Sequence, residues 1–488
     1  MRKPFSTQAR LDCATIGEVK LNLKCRDEIV PVLAGLRHIY SQGQLRDQIL
    51  GLVAADVNQH SRSDRGREGL DYWHIIVLAA VRLGCNLDYD KLQDLAEQHR
   101  AMRHIMGIGD WQEQIDFNWR RIRDNICLLK PGTIEAISHC LIEEAYRLQP
   151  DAAKKQRADS FVVETNIHYP TESSLIVDGV RKTIELCVKL SDVYDIVGWR
   201  QHEHLLKKVK QTARDIARIS ARQGAKYKQR LADQYGKLLR RAEAILRRAA
   251  ETCETLQSDY DLDIVSIAQI AEIKVFIERT RQVCGTARRR VLEGETVPNE
   301  DKLFSIFEPH TQLYRRGKAG QPNQFGRLVL IYEDAAGFIS HHHVMPRDAQ
   351  DRDVAVEQTR KLQQRLDHRV EEISFDRGFH SPENHDQLAE IVARVCLPKP
   401  GKKQSLEQAE TASVSFHQAR QRHPGVESAI GALQSGNGLV RCRDESEVGF
   451  ERYCALAVLG RNIHALGKLL IAKEDESAPA AISKRAAA

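Results

Sequence analysis

The sequence predicts an α/β protein, a mixed β-sheet flanked by helices, with an all-α N-terminal domain ahead of it and a long helical insertion inside it. Three observations predict this. Apolar residues recur at three- and four-residue spacing from about residue 27 to 150. Past residue 151 the texture changes to short β-branched and aromatic runs alternating with helical patterns. Between residues 194 and 292 the helical signal is long and meets no proline.

The N-terminal elements follow from local chemistry. Asp71-Tyr-Trp-His-Ile-Ile-Val-Leu-Ala-Ala-Val-Arg-Leu has helical periodicity and stops at Gly84. Asn86-Leu-Asp-Tyr-Asp reads as a turn and N-cap, and Lys91-Leu-Gln-Asp-Leu-Ala-Glu begins the next helix. A short helix follows at 102–106 and stops at Gly107; another carries Trp119-Arg-Arg-Ile-Arg-Asp-Asn. Short helices, a tight turn and a basic last helix suit a helix-turn-helix, which makes Arg120, Arg121 and Arg123 candidate DNA contacts. A small bundle used for packing or dimerisation is the plainer alternative.

Phe161-Val-Val-Glu-Thr-Asn-Ile is strand-like, and a helix is expected from Leu175. Residues 207–248 hold fourteen Lys and Arg against three acids, interleaved with Ile, Leu and Ala. Such a run is either a solvated face or an arm lying along phosphates, the second reading engaging Lys207, Lys208 and Lys210. Gly326-Arg-Leu-Val-Leu-Ile-Tyr and Phe338-Ile-Ser-His-His-His-Val-Met flank Glu333-Asp-Ala-Ala-Gly as a hairpin. Then come a helix at 360–369, a strand at 372–376, a helix at 384–391 and a strand at 391–397. Helices at 406–420, 425–434 and 450–470 close the pattern. Leaving out the insertion, this order is that of a ribonuclease H-like domain. The expected parts are an N-terminal segment at 1–26, the helical domain at 27–150, the catalytic domain at 151–200 and 301–472, the insertion at 201–300, and a disordered tail at 473–488.

At 488 residues the chain calls for two or three domains, and 42% apolar content suffices for packed cores. A net charge of +6 is too small for this length to establish a nucleic-acid partner by itself. The Met1-Arg-Lys-Pro start offers no apolar signal region, and the apolar runs at 75–81 and 453–459 are cut by Arg82 and Arg461. No membrane span is therefore expected. Eleven scattered cysteines without a Cys-x-x-Cys pair suit reduced thiols in a cytoplasmic protein.

Three acids carry the functional reading. Asp159 lies in Arg157-Ala-Asp-Ser-Phe-Val-Val, Asp376 in Ile373-Ser-Phe-Asp-Arg-Gly-Phe, and Glu427 in Val426-Glu-Ser-Ala-Ile-Gly-Ala-Leu. The first two read as acids on buried strands, the third as an acid on the apolar edge of a helix. Buried carboxylates need a compensating cation, and all-oxygen ligands suit Mg²⁺ or Mn²⁺. With the first and fourth strands adjacent, the three could hold two ions for in-line displacement at phosphorus. A lone acid is ordinarily a surface charge; the shared architecture is what sets these apart.

Competing residues have simpler explanations. Glu164 falls on the opposite strand face from Asp159. Asp178 before Gly179, and Asp334, read as turn residues, and Asp353 as a helix N-terminus. His341-His-His343 lacks a third ligand at suitable spacing and reads as an edge-strand polar run. No nucleophile–base pair and no phosphate-binding glycine loop is present.

Val162-Val-Glu-Thr-Asn-Ile-His-Tyr-Pro-Thr-Glu-Ser-Ser-Leu, Phe304-Ser-Ile-Phe-Glu-Pro-His-Thr, Phe375-Asp-Arg-Gly-Phe and His423-Pro-Gly-Val-Glu-Ser-Ala-Ile together resemble bacterial insertion-sequence transposases. The resemblance is to the ISNCY group, related to the larger DDE superfamily, and runs from the helical N-terminal region to about residue 470. It implies DNA cleavage at transposon ends by water, then attack of the freed 3′-hydroxyl on target DNA. Asp159, Asp376 and Glu427 would be the catalytic and metal-binding acids, with two Mg²⁺ or Mn²⁺ ions as cofactor. Transposon ends and target, both double-stranded DNA, would be the partners, and at least a homodimer would form on them. The sequence departs from related enzymes with a Tyr-Arg-Glu-Lys signature: His423 stands where Arg is common and Gln434 where Lys is common. Binding of terminal phosphates would then fall to Arg377, Arg441 or Arg443. An inert, transposase-derived DNA-binding protein and a purely structural helical scaffold are the alternatives.

Overall fold

A computed structural model describes residues 11–59, 69–111, 117–222, 224–315 and 322–485. The expected N-terminal segment at 1–26 lies partly outside these. Seven helices open the chain: α1 (Ile29–Ser41), α2 (Gly43–Val57), α3 (Tyr72–Gly84), α4 (Tyr89–Gln98), α5 (Arg100–Ile105), α6 (Trp119–Ile126) and α7 (Pro131–Leu148). Strand β1 (Lys155–Glu164) follows, then α8 (Glu172–Tyr194), α9 (His202–Ser220), α10 (Ala225–Asp259), α11 (Ile264–Ala287) and the short strand β2 (Gln312–Tyr314). The remainder is β3 (Gln324–Asp334), β4 (Ile339–Val344), α12 (Asp351–Arg365), β5 (Glu372–Phe375), α13 (Pro382–Ile391), β6 (Arg394–Cys396), α14 (Lys402–Thr411), α15 (Val414–Arg422), α16 (Gly425–Gly436) and α17 (Glu447–Arg485). The protein is thus a mixed α/β chain dominated by helix, with a curled mixed sheet and a long C-terminal helix.

The chain forms two compact units, residues 1–166 with 327–488, and residues 167–326. In the first, the sheet path runs β3-β1-β5-β6, with β4 on the other side of β3. β3 and β4 are an antiparallel hairpin, whereas β1, β5 and β6 are parallel. The hairpin turn is held by Asp334, whose Oδ1 accepts from the backbone N–H groups of Ala336 and Phe338. Asp334 therefore is a turn residue, as its sequence context suggests, although it is almost completely buried. Burial pushes its carboxyl up to about 7.

The helical N-terminal segment and α17 share one core in this unit. α17 packs on α1, α3 and α7 and lies along β4. Glycines set the spacing: a Cβ at Gly460 would stand 2.5 Å from the Gly84 nitrogen, and one at Gly467 would stand 1.8 Å from the Pro31 carbonyl oxygen. The Glu447–Glu474 part of α17 is long and apolar enough to cross a membrane, although the sequence pattern argued against any such span. It is apolar because 67% of its most apolar window is buried against these neighbours, which is the burial of a core helix. The helix continues to Arg485, through the stretch where composition suggested a disordered tail.

The second unit is a helical assembly. The basic run at 207–248 folds back on itself as α9 and α10, with Arg241 donating to the Lys208 carbonyl at 2.9 Å and Trp199 Nε1 to Thr252 Oγ1 at 3.1 Å. Val209, Ile216, Leu238, Leu239, Ile245 and Leu246 line the seam, so the cations occupy the opposite faces. Asp178 sits within α8, not in a turn, and pairs with His168 at 2.7 Å. Its neighbour Gly179 is helical because Thr280 of α11 presses against it, leaving no room for a Cβ. In this unit β2, which the sequence did not signal, pairs with the first three residues of β3.

All eleven cysteines are free. Six of them, such as Cys187 and Cys284, have thiols pushed up to about 11 or beyond, or well above the ordinary range, because burial disfavours the thiolate.

Candidate functional site

The parallel pairing of β1 with β5 builds the site. Lys155 pairs with Glu372, Gln156 with Ile373, Arg157 with Ser374 and Ala158 with Phe375. One step further, Asp159 stands opposite Asp376, whose backbone is still extended at φ −76° and ψ 167°. Neighbouring strands are about 4.8 Å apart, and in-register residues of a parallel pair share a face. Alternation along each strand then places Arg157, Asp159, Ser374 and Asp376 on one face.

The loop between α15 and α16 covers that face. Arg157 donates from Nε to Glu333 Oε2 at 2.6 Å and from Nη1 to the Arg422 carbonyl at 3.1 Å. A Cβ at Gly425 would lie 2.1 Å from Arg157 Nη1, so glycine opens α16 because the guanidinium occupies that space. Ser374 Oγ and His423 Nδ1 are 3.1 Å apart. Burial holds the His423 imidazole below its usual range, and Arg157 pushes in the same direction. Asp376 and Glu427 oppose this, so both carboxylates act on the one ring. Glu427 lies in the first turn of α16, whose buried residues are Val426, Ala429 and Leu433.

The expectation of buried acids fails. Asp376 and Glu427 are exposed and Asp159 is half-buried. Asp376 stands one residue beyond the end of β5, and Glu427 points away from the buried side of its helix. The Asp159 Oδ1 accepts from the Ser160 N–H at 2.7 Å. Ser160 Oγ, on the other face, donates to Asp351, an acid at the start of α12 that sequence reading did not weigh. Among the described residues no group of three or more His, Cys, Asp or Glu converges to hold a metal ion. The donor chemistry at the strand ends is nevertheless all oxygen, and neither the Asp376 nor the Glu427 carboxylate is engaged by a protein hydrogen bond or ion pair among the described residues.

The candidate phosphate-binding arginines divide. Arg441 pairs with Glu164 at 3.0 Å, and Arg443 donates to Asn86 at 2.7 Å and to the Tyr453 hydroxyl at 2.9 Å. Both are tied into the fold. Arg377 follows Asp376 directly and is exposed. On α6, Arg120, Arg121 and Arg123 are exposed, with Arg120 and Arg123 lying over the Trp119 ring. Lys207, Lys208 and Lys210 of α9 are exposed as well.

The three histidines of β4 are not a solvated polar run. His341 and His342 are buried. Arg365 donates to His341 Nδ1 at 3.3 Å, so Nε2 carries the proton and donates to Gln358 Oε1 at 3.0 Å. Burial, then the Arg365 charge, holds His341 well below its ordinary range. His342 is lowered to about 4, chiefly by burial. These are core histidines held neutral. Alternation alone could not reveal this, because both faces of β4 are covered: α12 lies on the His341 side, and Glu135 of α7 stands 3.8 Å from His342 Nε2.

Comparison with known proteins returned no match: no family model, no curated protein and no solved structure is similar to this chain.

Proposed function

We propose that this chain is a DDE-type DNA transposase with a ribonuclease H-like catalytic sheet. The observation that carries the reading is the register that sets Asp159 beside Asp376 at the C-terminal end of β5, with Glu427 entering from the helix packed over Arg157. The strand path β4-β3-β1-β5-β6, antiparallel in its hairpin and parallel from β1 onward, supports the same reading.

In this reading Asp159, Asp376 and Glu427 would hold Mg²⁺ or Mn²⁺, which supplies Lewis acidity for the attacking and leaving oxygens of phosphoryl transfer. Arg157, locked between Glu333 and the Arg422 carbonyl, fixes the start of the helix that carries Glu427. His423, held neutral, orients through Ser374 without adding a cation beside the acids. With Arg441 and Arg443 engaged elsewhere, Arg377 is the residue left to bind a terminal phosphate. The exposed cations of α6 and α9 would contact duplex DNA, in a chain working in the cytoplasm, as a dimer or larger assembly on DNA.

The experiment is cleavage of a duplex carrying the element's own ends, with Mg²⁺ or Mn²⁺, by the full chain and by Asp376→Asn. Cleavage by the first and none by the second, with end binding retained in both, is the expected result. Equal cleavage by both would remove the assignment. Binding without cleavage by either would favour an inert DNA-binding protein of transposase descent.

A further inference from the structure

A second recess lies in the unit that holds the sheet, at the N-terminal end of β1. It has a volume of about 1000 Å³ and is walled by the residues before β1, the β3–β4 turn and one side of α17. Its charges are unequal. Lys154 is taken up by Asp151 at 2.8 Å and Glu371 at 3.8 Å, and His464 by Glu28 at 2.5 Å. Three cations remain: Lys155 and Lys468 at the rim, and Arg461 in the wall. None of the three makes an ion pair or side-chain hydrogen bond among the described residues.

Arg461 is the informative one. Burial pulls its guanidinium below the ordinary arginine range, and Glu333 and Glu28 offset this only as charges at a distance. Its Nε is fully covered and has no hydrogen-bond partner. The other buried arginines with a bare Nε, Arg82, Arg327 and Arg452, each use their terminal nitrogens in ion pairs or backbone hydrogen bonds. Arg461 as a whole is half-buried, its terminal nitrogens are not covered, and the fold supplies no anion for them.

We infer that this recess binds a small phosphate-bearing molecule, its phosphate held by Arg461, Lys155 and Lys468 and its body lying along Ala465 and Leu469. The size suits a nucleotide, since ligand pockets span about 300–1,000 Å³. Arginine pairs with phosphate through two parallel N–H donors, which the uncovered terminal nitrogens of Arg461 can supply. The recess shares none of the residues assigned to phosphoryl transfer, so the inference stands or falls apart from that reading.

The test is thermal melting and equilibrium binding of the full chain with pyrophosphate and with ADP. Both should raise the melting temperature of the parent chain, ADP more. Arg461→Met should melt no lower than the parent without ligand, because a half-buried unpaired charge is gone, and should lose the ligand-induced rise. Loss of a charge-assisted contact predicts affinity lower by about tenfold or more. Lys155→Gln with Lys468→Gln, both at exposed positions, should weaken ADP binding without lowering the unliganded melting point. No rise in the parent with either probe, or an unchanged rise in both variants, would overturn the inference. Displacement of ADP by a short DNA duplex, sensitive to the same substitutions, would assign the recess to a DNA phosphate and overturn it equally.

Discussion

Arg157 of β1 and Glu333 of β3 form an ion pair of 2.6 Å in which the carboxylate is 4% exposed and the guanidinium 27%. The pair ties the central strand to the hairpin, and the same guanidinium seats the first turn of α16. Arg157→Met would leave Glu333 buried and alone. Loss of one partner of such a pair costs about 3 kcal/mol, somewhat less here because the arginine keeps partial access to water. The expected outcome is that loss in urea unfolding, with DNA cleavage reduced further than stability explains. Wild-type stability in Arg157→Met would contradict this account of the pair.

Asp376→Asn tests the site without disturbing the fold. The residue is exposed and its side chain holds nothing in place, so unfolding free energy should stay within about 0.5 kcal/mol of wild type. Cleavage should disappear while affinity for end DNA persists. A large drop in stability would show that the carboxylate serves the fold instead.

Gly425→Ala probes the approach of α16 to β1. The added carbon would meet a guanidinium fixed at both ends, so either the ion pair or the helix must shift. Overpacking of this kind costs about 1–3 kcal/mol. Activity should fall together with stability, and melting plus a cleavage assay on one preparation would read both.

Acid sensitivity follows from the β4 histidines. Their folded values lie below the unfolded value of about 6.5. The unfolded chain therefore binds protons first as pH drops. Stability contributed by the neutral forms is complete above about pH 6.5 and falls through the window down to about 4 for His342, with His341, also held well below its ordinary range, adding to the fall. Each such histidine gives a slope of up to about 1.4 kcal/mol per pH unit. His342→Gln should flatten the acid limb of a stability–pH curve measured by urea titration. A limb of unchanged steepness would mean that other groups produce it.

Much of the architecture was legible from local signals. The stop at Gly84, the Asp88 cap, the hairpin about Asp334 and the strand ending at Asp376 all follow from short-range chemistry. The adjacency of β1 and β5 was legible only through the order of elements. What escaped depends on partners far away in the chain. Asp178 looks like a turn residue until Thr280 explains the glycine beside it. His342 looks solvated until Glu135 of α7 meets it. Asp351 was passed over because nothing near it in sequence announces its bond to Ser160. The acids themselves were singled out by pattern, and their exposure was misjudged: a residue just past a strand end reads as buried when only the strand is considered.

The close seating of α17 against α1 carries a further consequence for biosynthesis. His464 reaches Glu28 across 436 positions of chain, and Gly467 fits beside Pro31. While the ribosome is still at work, the first helices have no lid, and Leu33, Leu36 and Ile39 must wait in water or in the care of a chaperone. A message cut short before α17 yields a product whose earliest residues never find their shelter.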